Sequence, residues 1–181
     1  LMLGEAVWDG RSVTVEYTHS DYKPLGHRCF VRSFVAQVPP EAFPKGRGRR
    51  KSPFPKGGAE ALALSAIELA VQGMTMVFVA RKVSAEPFGQ TVLSSIERKH
   101  ALAKATGGSF SLPVDDRFRA EIDRCLRLIH EHMGADSVVG RCLAAGVVVH
   151  HGSLPQVVRL GLERLVRKGT ARLVVATTTL A

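Results

Sequence analysis

Three short apolar runs, separated by helix-like sequence, constrain the fold of this chain more than any other feature. TMVFVA (75–80), VVVH (147–150) and RLVVA (172–176) are apolar over nearly their whole length, which is typical of strands buried on both faces of a sheet. Helical periodicity precedes the first run, over residues 59–72, and separates the last two, from Leu154 to Lys168. The alternation predicts an α/β fold with a mainly parallel sheet flanked by helices.

Further helices are predicted between the first and second runs. Ser84 suits a helix N-cap, and Pro87 is tolerated in a first turn. A second helix begins at Asp115 or Asp116 and ends at Gly134, and a short one spans about 137–145. The apolar side of the first of these helices carries Phe88, Val92 and Ile96, and that of the second carries Phe118, Ile122, Cys125, Leu126, Ile129 and Met133.

The sequence before residue 59 is of a different kind. Residues 1–38 alternate apolar and polar positions, which predicts extended structure. Residues 39–58 are rich in Pro, Gly, Lys and Arg and are interpreted as a linker or mobile insertion. We therefore divide the chain into an extended leading segment (1–38), a basic linker (39–58) and an α/β domain (59–181).

The charge balance suggests a polyanionic partner. The formal net charge is +9 and the isoelectric point is about 10.0. Much of this charge lies in one acid-free stretch, which is either a solvated, disordered loop or a nucleic-acid contact. The stretch contains Lys45, Arg47, Arg49, Arg50, Lys51 and Lys56.

Polar and small residues follow each apolar run, where ligands bind in an open parallel sheet. Arg81 and Lys82 follow the first run, His150 to Ser153 end the second, and Thr177 to Thr179 end the third. Ser153 as N-cap and Pro155 early in a helix would place free N–H groups there. Donors and small residues favour phosphate oxygens. No carboxylate is apparent among them, which argues against a metal site or acid–base catalysis.

Each of these features also has a purely structural interpretation. A histidine pair at a strand end is often structural, threonines are common in strands, and Lys82 could be a solvated surface lysine. Two other patterns carry little weight. GRGRRKS (46–52) has Arg50 where a P-loop has glycine, and no apolar strand precedes it. In HEH (130–132), residues two apart do not share a helix face.

The end of the chain resembles a known protein family. GVVVHHGSLP (146–155), then Arg159, Glu163 and Lys168–Gly169, then RLVVATTTLA (172–181), resemble the second RecA-like motor lobe of superfamily 2 helicases. The branch that it resembles is the large DEAD/DEAH-box DNA and RNA helicases with a double histidine. The resemblance implies a RecA-like sheet that is truncated at its C-terminal end, within motif V.

Two other segments extend the resemblance. VFVARKVSAE (77–86) is similar to motif IV, and DYKPLG (21–26) is similar to the segment that enters the second lobe from the first. VVATTTLA (174–181) is similar to the first half of motif V. The resemblance covers most of residues 15–181, and the segments that match nothing specific are 39–58 and 105–115.

The resemblance implies site residues and cofactors. In the family, the motif IV basic residue and the loops after these strands hold the sugar–phosphate backbone of DNA or RNA, and Thr179 matches a position that communicates with ATP. ATP and Mg²⁺ bind between two lobes, and the P-loop and acid pair belong to the first lobe, so no catalytic residue is expected in this chain. The implied nucleic-acid contacts are Lys82 (or Arg81 in its place), His151, Gly152, Ser153, Thr177 and Thr178.

Two alternatives remain open. One is a stand-alone basic α/β nucleic-acid-binding module that uses the run from 45 to 56. The other is a small phosphate-transfer enzyme with His151 as nucleophile or base, disfavoured because no carboxylate orients this histidine in the sequence pattern. The absence of a membrane span or a signal-peptide pattern predicts a cytoplasmic protein. Cys29, Cys125 and Cys142 lack disulfide or zinc spacing, and the last two are expected in the core.

Overall fold

The computed structural model describes residues 3–18, 35–43 and 52–177. An antiparallel sheet comes first, formed by β1 (Leu3–Trp8), β2 (Ser12–Thr18) and the short β3 (Val35–Ala36), with β2 between the other two. The alternating pattern of the leading segment therefore forms strands where it is described. The segment 21–26 lies outside the described residues.

The three apolar runs form the predicted parallel sheet. They are β4 (Thr75–Val79), β5 (Val147–His150) and β6 (Leu173–Thr177), in the order β4-β6-β5. Thr75 and Val147 are both aligned with Leu173, so the three strands start at the same level. The last strand of the described chain is thus the central strand of the sheet, where every residue is buried.

In the described part of the chain, five helices pack around the sheet, which confirms the predicted α/β class. Helices α1 and α2 contact each other and β4 and β6, and α2 also contacts β5; α5 contacts β5 and α3. The core contains many side chains with no exposed surface, such as Ile67, Val92, Ile129, Val149 and Leu162. The helices are α1 (Gly58–Gln72), α2 (Lys82–Ala105), α3 (Arg119–Met133), α4 (Val138–Ala144) and α5 (Gln156–Arg167).

The starts of two helices differ from the sequence prediction. Helix α2 begins at Lys82 with Arg81 before it, so Ser84 lies within the helix and Pro87 is its sixth residue. Helix α5 begins at Gln156, and Pro155, not Ser153, is the flanking residue. Neither flanking residue provides a side-chain cap, so no capping side chain marks where these two helices start.

The end of α3 agrees with the prediction, whereas α3 itself begins at Arg119 rather than at Asp115 or Asp116. Asp115 accepts a hydrogen bond from the backbone N–H of Arg117 at the start of a short 3-10 turn, Asp116–Phe118, that leads into α3. Gly134 ends α3 with a φ of 89°, a backbone conformation that glycine adopts without strain. The predicted apolar side of α3 is buried at Ile122, Cys125 and Ile129.

A second, smaller core joins the antiparallel sheet to α1. Its buried members are Val13, Val35, Phe54, Ala61 and Leu64. The described ends of the linker take part, since Val38 and Phe54 exchange backbone hydrogen bonds. Arg98 of α2 lies over the ring of Phe54, with its guanidinium carbon 4.2 Å from the ring centre. Residues 52–57 are therefore packed against the domain, and residues 44–51 lie outside the described part.

Candidate nucleic-acid interface

The carboxyl ends of the parallel strands lie at one edge of the sheet, as the sequence predicts. Val79 at the end of β4 is aligned with Thr177 at the end of β6, and His150 at the end of β5 is aligned with Ala176. The loop that carries Arg81 and the loop that begins at His151 therefore leave the same edge of the sheet, one on each side of the end of β6. This edge is the candidate interface.

A groove of about 330 Å³ lies at this edge, and we call it the edge groove. It is lined by Val83, Glu86, Pro87, His151 and Ser153, so its walls are the first turns of α2 and the loop before α5. Val83 is 77% exposed, and Ser153 is also exposed. The edge groove thus brings together the segments that resemble motif IV and the double-histidine motif.

Two helix N-termini face the same edge, because helices that follow parallel strands run back antiparallel to them. Arg81 precedes α2 and Pro155 precedes α5, and neither provides a side-chain cap. The backbone N–H groups of the two first turns therefore have no capping side chain and carry the positive end of each helix dipole. Such N–H groups bind phosphate oxygens readily.

His150 has a structural environment. The residue has no exposed surface, and its Nε2 lies 3.1 Å from Oε1 of Glu163 on α5. A carboxylate only accepts hydrogen bonds, so Nε2 donates. Arg167 donates to the other oxygen of Glu163, and Arg159 lies within ion-pair distance. This network attaches the end of β5 to α5.

His151 is also buried, and its imidazole does not face the groove as a free donor. The residue is 5% exposed, and its Nε2 lies 3.1 Å from Oε1 of Glu86 on α2. Nδ1 is buried without a hydrogen-bond partner among the described residues. Glu86 remains 39% exposed. His151 therefore fixes the β5–α5 loop to α2, and the exposed side chain that follows it is Ser153.

These two glutamates correct the expectation that no carboxylate lies among the strand-end groups. Glu86 and Glu163 are separated from their histidines by 65 and 13 positions, so a local sequence pattern does not reveal the pairs. Glu86 does orient His151, which removes one objection to a phosphate-transfer enzyme. However, a histidine that acts as a nucleophile or base needs one ring nitrogen that is free and accessible. In His151, Nε2 is bonded to Glu86 and Nδ1 is buried.

The remaining predicted site residues are placed as follows. Thr177 is buried at the end of β6, in the centre of the edge. Lys82 is the first residue of α2, and Gly152 is half-buried in the loop before α5. Thr178 and Thr179 lie outside the described residues, as does most of the basic run. The structure thus brings the described members to one edge of the sheet.

The described residues offer little for metal or thiol chemistry. Among residues 3–18, 35–43 and 52–177, no three or more His, Cys, Asp or Glu side chains are grouped so that they could hold a metal ion. Cys125 and Cys142 are buried, as predicted, and burial raises the pKa of their thiols to about 11 and about 12. Both are therefore neutral thiols at physiological pH.

No helix in the described part of the chain has the length and hydrophobicity needed to cross a lipid bilayer. Compared with known proteins, the chain matches no protein-family model, and no curated protein aligns with it significantly. The support for a function therefore comes from the geometry of the sheet edge and from the resemblance of the sequence motifs.

Proposed function

We propose that this chain is the second RecA-like motor lobe of an ATP-dependent helicase or translocase of superfamily 2, and that its sheet edge holds the phosphate backbone of a DNA or RNA strand. One observation supports this most directly: the first turns of α2 and the loop that leads into α5 line the edge groove, and neither helix start has a side-chain cap. The resemblance of residues 77–86 and 146–181 to motifs IV and V supports the same assignment. Contacts to phosphates would make binding largely independent of base sequence.

The described residues suggest how the grip is divided. In this proposal, the exposed Ser153 hydroxyl and the first-turn N–H groups of α2 and α5 contact the phosphates of the bound DNA or RNA directly. His151 acts through its hydrogen bond to Glu86, which keeps the loop of Gly152 and Ser153 against α2. We assign Lys82, Thr177 and Thr178 to the same grip, and Thr179 to communication with ATP, on the resemblance alone.

ATP and Mg²⁺ belong to the proposal for the intact two-lobe protein. Among the described residues, no three or more His, Cys, Asp or Glu side chains are grouped as a metal site, and the sequence contains no GxxxxGK[ST] motif. Both features are expected of the first lobe, the proposed partner in the same protein. We therefore expect the purified chain to show no steady-state ATPase activity, and turnover of ATP by it would contradict this division.

Binding of single-stranded oligonucleotides tests the grip. In fluorescence polarisation, we expect weak binding of oligo(dT) and oligo(U) that becomes weaker as salt rises. Ser153→Glu places a negative charge beside the phosphates, and we expect about tenfold weaker binding, equivalent to about 1.4 kcal/mol. Ser109→Glu is the matched control, because Ser109 is equally an exposed loop serine but follows the other end of α2. Equal losses in both variants would contradict an interface at the edge groove.

The stand-alone binding module is the second candidate, supported by the acid-free basic run. Deletion of residues 45–51 separates the two functions. If binding depends on the edge, the deletion weakens it and Ser153→Glu still reduces what remains. If the deletion abolishes binding and Ser153→Glu has no effect in the full chain, the basic run is the contact and the motor-lobe proposal fails.

A further inference from the structure

A second groove lies between α3 and α5, away from the edge groove, and we call it the α3–α5 groove. Its volume is about 240 Å³. Leu128 on α3 and Val157 and Leu160 on α5 form its apolar surface, and the last two are 44% and 53% exposed. It shares no lining residue with the edge groove. The proposed grip on nucleic acid therefore leaves this surface unused.

Regular helix spacing makes the groove continuous. Its lining residues on α5 include Val157, Leu160, Gly161 and Arg164, which follow one another at the i, i+3, i+4 and i+7 positions of a single helix stripe. The α3 side has the same spacing, from Glu121 through Arg124 and Cys125 to Leu128. Two helix stripes that face each other in this way leave a channel in which a third helix can lie.

Gly161 keeps this channel open. A Cβ atom at this position would lie 3.2 Å from Sγ of Cys125 and 3.8 Å from Cδ1 of Leu128, so a side chain would fill the space between the two helices. Glycine in the middle of a helix also destabilises it by about 1 kcal/mol relative to alanine. Here the glycine allows close approach of α3 and α5 and leaves the apolar surface accessible.

The rim of the channel is basic. Arg124 and Arg164 line it, and Lys168 lies beside it in contact with Glu121. Glu121 is the acid of the group: Lys168 binds it and Arg164 lies 3.7 Å away. The hydrogen bond from Lys168, and then the nearby charges of Lys168, Arg164 and Arg124, lower the pKa of the Glu121 carboxyl. Three cations therefore surround one carboxylate, and an incoming acidic group would find positive charge on both sides.

We infer that the α3–α5 groove is a docking site for an amphipathic helix of a partner protein, with aliphatic side chains on one face and Asp or Glu beside them. Aliphatic side chains match Leu128, Val157 and Leu160, and carboxylates match Arg124 and Arg164 by bidentate hydrogen bonds. A nucleic acid fits less well, because none of the lining residues is aromatic and bases have nothing to stack on.

A synthetic helical peptide tests this inference with the full chain. The probe has leucines at alternating spacings of three and four with glutamates beside them, and a scrambled peptide of equal composition is the reference. We expect the chain to bind the probe and not the scrambled peptide. Leu160→Asp and Arg124→Glu should each weaken binding about tenfold, as expected for central contacts. Replacing the probe's glutamates with lysines should restore binding to Arg124→Glu.

Controls separate the alternatives. Val83→Asp alters another exposed aliphatic residue, which lies in the edge groove, and it should leave peptide binding unchanged. Thermal unfolding verifies that each variant is folded. The inference is overturned by absence of probe binding, by an equal loss in Val83→Asp, or by oligonucleotide binding that depends on Arg124. It is also overturned if sedimentation shows self-association that Leu160→Asp abolishes, since the occupant would then be a second copy.

Discussion

His150 and His151 are neighbours in sequence, yet they bind carboxylates on opposite sides of the sheet. Successive side chains of a strand point to opposite faces, so His150 reaches Glu163 on α5 and His151 reaches Glu86 on α2. Two adjacent residues thus attach the same strand end to both helical layers. The pair has a structural role whether or not the edge binds nucleic acid.

The first prediction at the residue scale concerns Glu163. Its replacement by alanine leaves a fully buried imidazole N–H without a partner, and we expect the free energy of unfolding to fall by about 1–3 kcal/mol. Chemical denaturation measures the change. Glu131→Ala is the matched control, because Glu131 is an exposed glutamate on α3 that forms no hydrogen bond or ion pair with another described side chain. A loss no larger than that of the control would show that the bond contributes nothing to stability.

The second concerns the buried thiols. Burial raises the pKa of Cys125 to about 11 and that of Cys142 to about 12, from an ordinary 9.0. The unfolded chain therefore loses these protons first, and the free energy of unfolding should fall as pH rises from about 9 towards 11.

In a Cys29→Ser background, a thiol reagent at pH 8 should label neither cysteine until urea is added. Rapid labelling of the folded protein would contradict the burial of these thiols.

At the scale of elements, the packing of α2 on β5 depends on Gly89. A Cβ there would lie 2.7 Å from Cγ2 of Val149 and 3.3 Å from Sγ of Cys142. A valine side chain has little freedom to move away. Alanine would ordinarily favour a helix, so any destabilisation at this position reflects the contact.

We predict that Gly89→Ala lowers the free energy of unfolding by about 1–3 kcal/mol through overpacking. Gly58→Ala is the comparison, because Gly58 is also in a helix and a Cβ there meets no atom within 4 Å. Denaturation of both variants should show a loss for the first and none for the second. Equal stabilities would mean that α2 can shift away from Val149 at little cost.

The elements also show what a local pattern can predict. The strands at 75–79, 147–150 and 173–177 were predictable because a short, continuous apolar run between helices is typical of a strand that is buried on both faces. The starts of α2 and α5 were not, since no capping side chain marks them. Glu86 was hidden because its partner is 65 positions away, and long-range pairs leave no periodic signal.

At the scale of the whole molecule, two hydrophobic cores share α1. Ala63, Ala66 and Ile67 belong to the core of the parallel sheet, whereas Ala61 and Leu64 belong to the core of the antiparallel sheet. The order β4-β6-β5 also belongs to this scale. The sequence pattern predicts parallel strands, but which strand lies in the centre depends on how the helices pack together.

We predict that the smaller core opens independently of the larger one. Phe54→Ala removes a ring that is 1% exposed and contacts Arg98, which ordinarily costs about 3–5 kcal/mol in a core. Hydrogen exchange should become faster in β2 and around Phe54 while β4 to β6 remain protected. Phe78→Ala is the control, since Phe78 is 59% exposed. Faster exchange throughout the parallel sheet would show that the two cores unfold together.

The central position of β6 has a consequence for the synthesis of the protein. Strands β4 and β5 do not pair with each other. Both pair with β6, which is the last strand of the described chain. During translation the two earlier strands therefore have no β-strand partner in this sheet until residues 173–177 have emerged from the ribosome. A nascent chain arrested before that point would expose two apolar strand edges, and it would depend on chaperones to avoid aggregation.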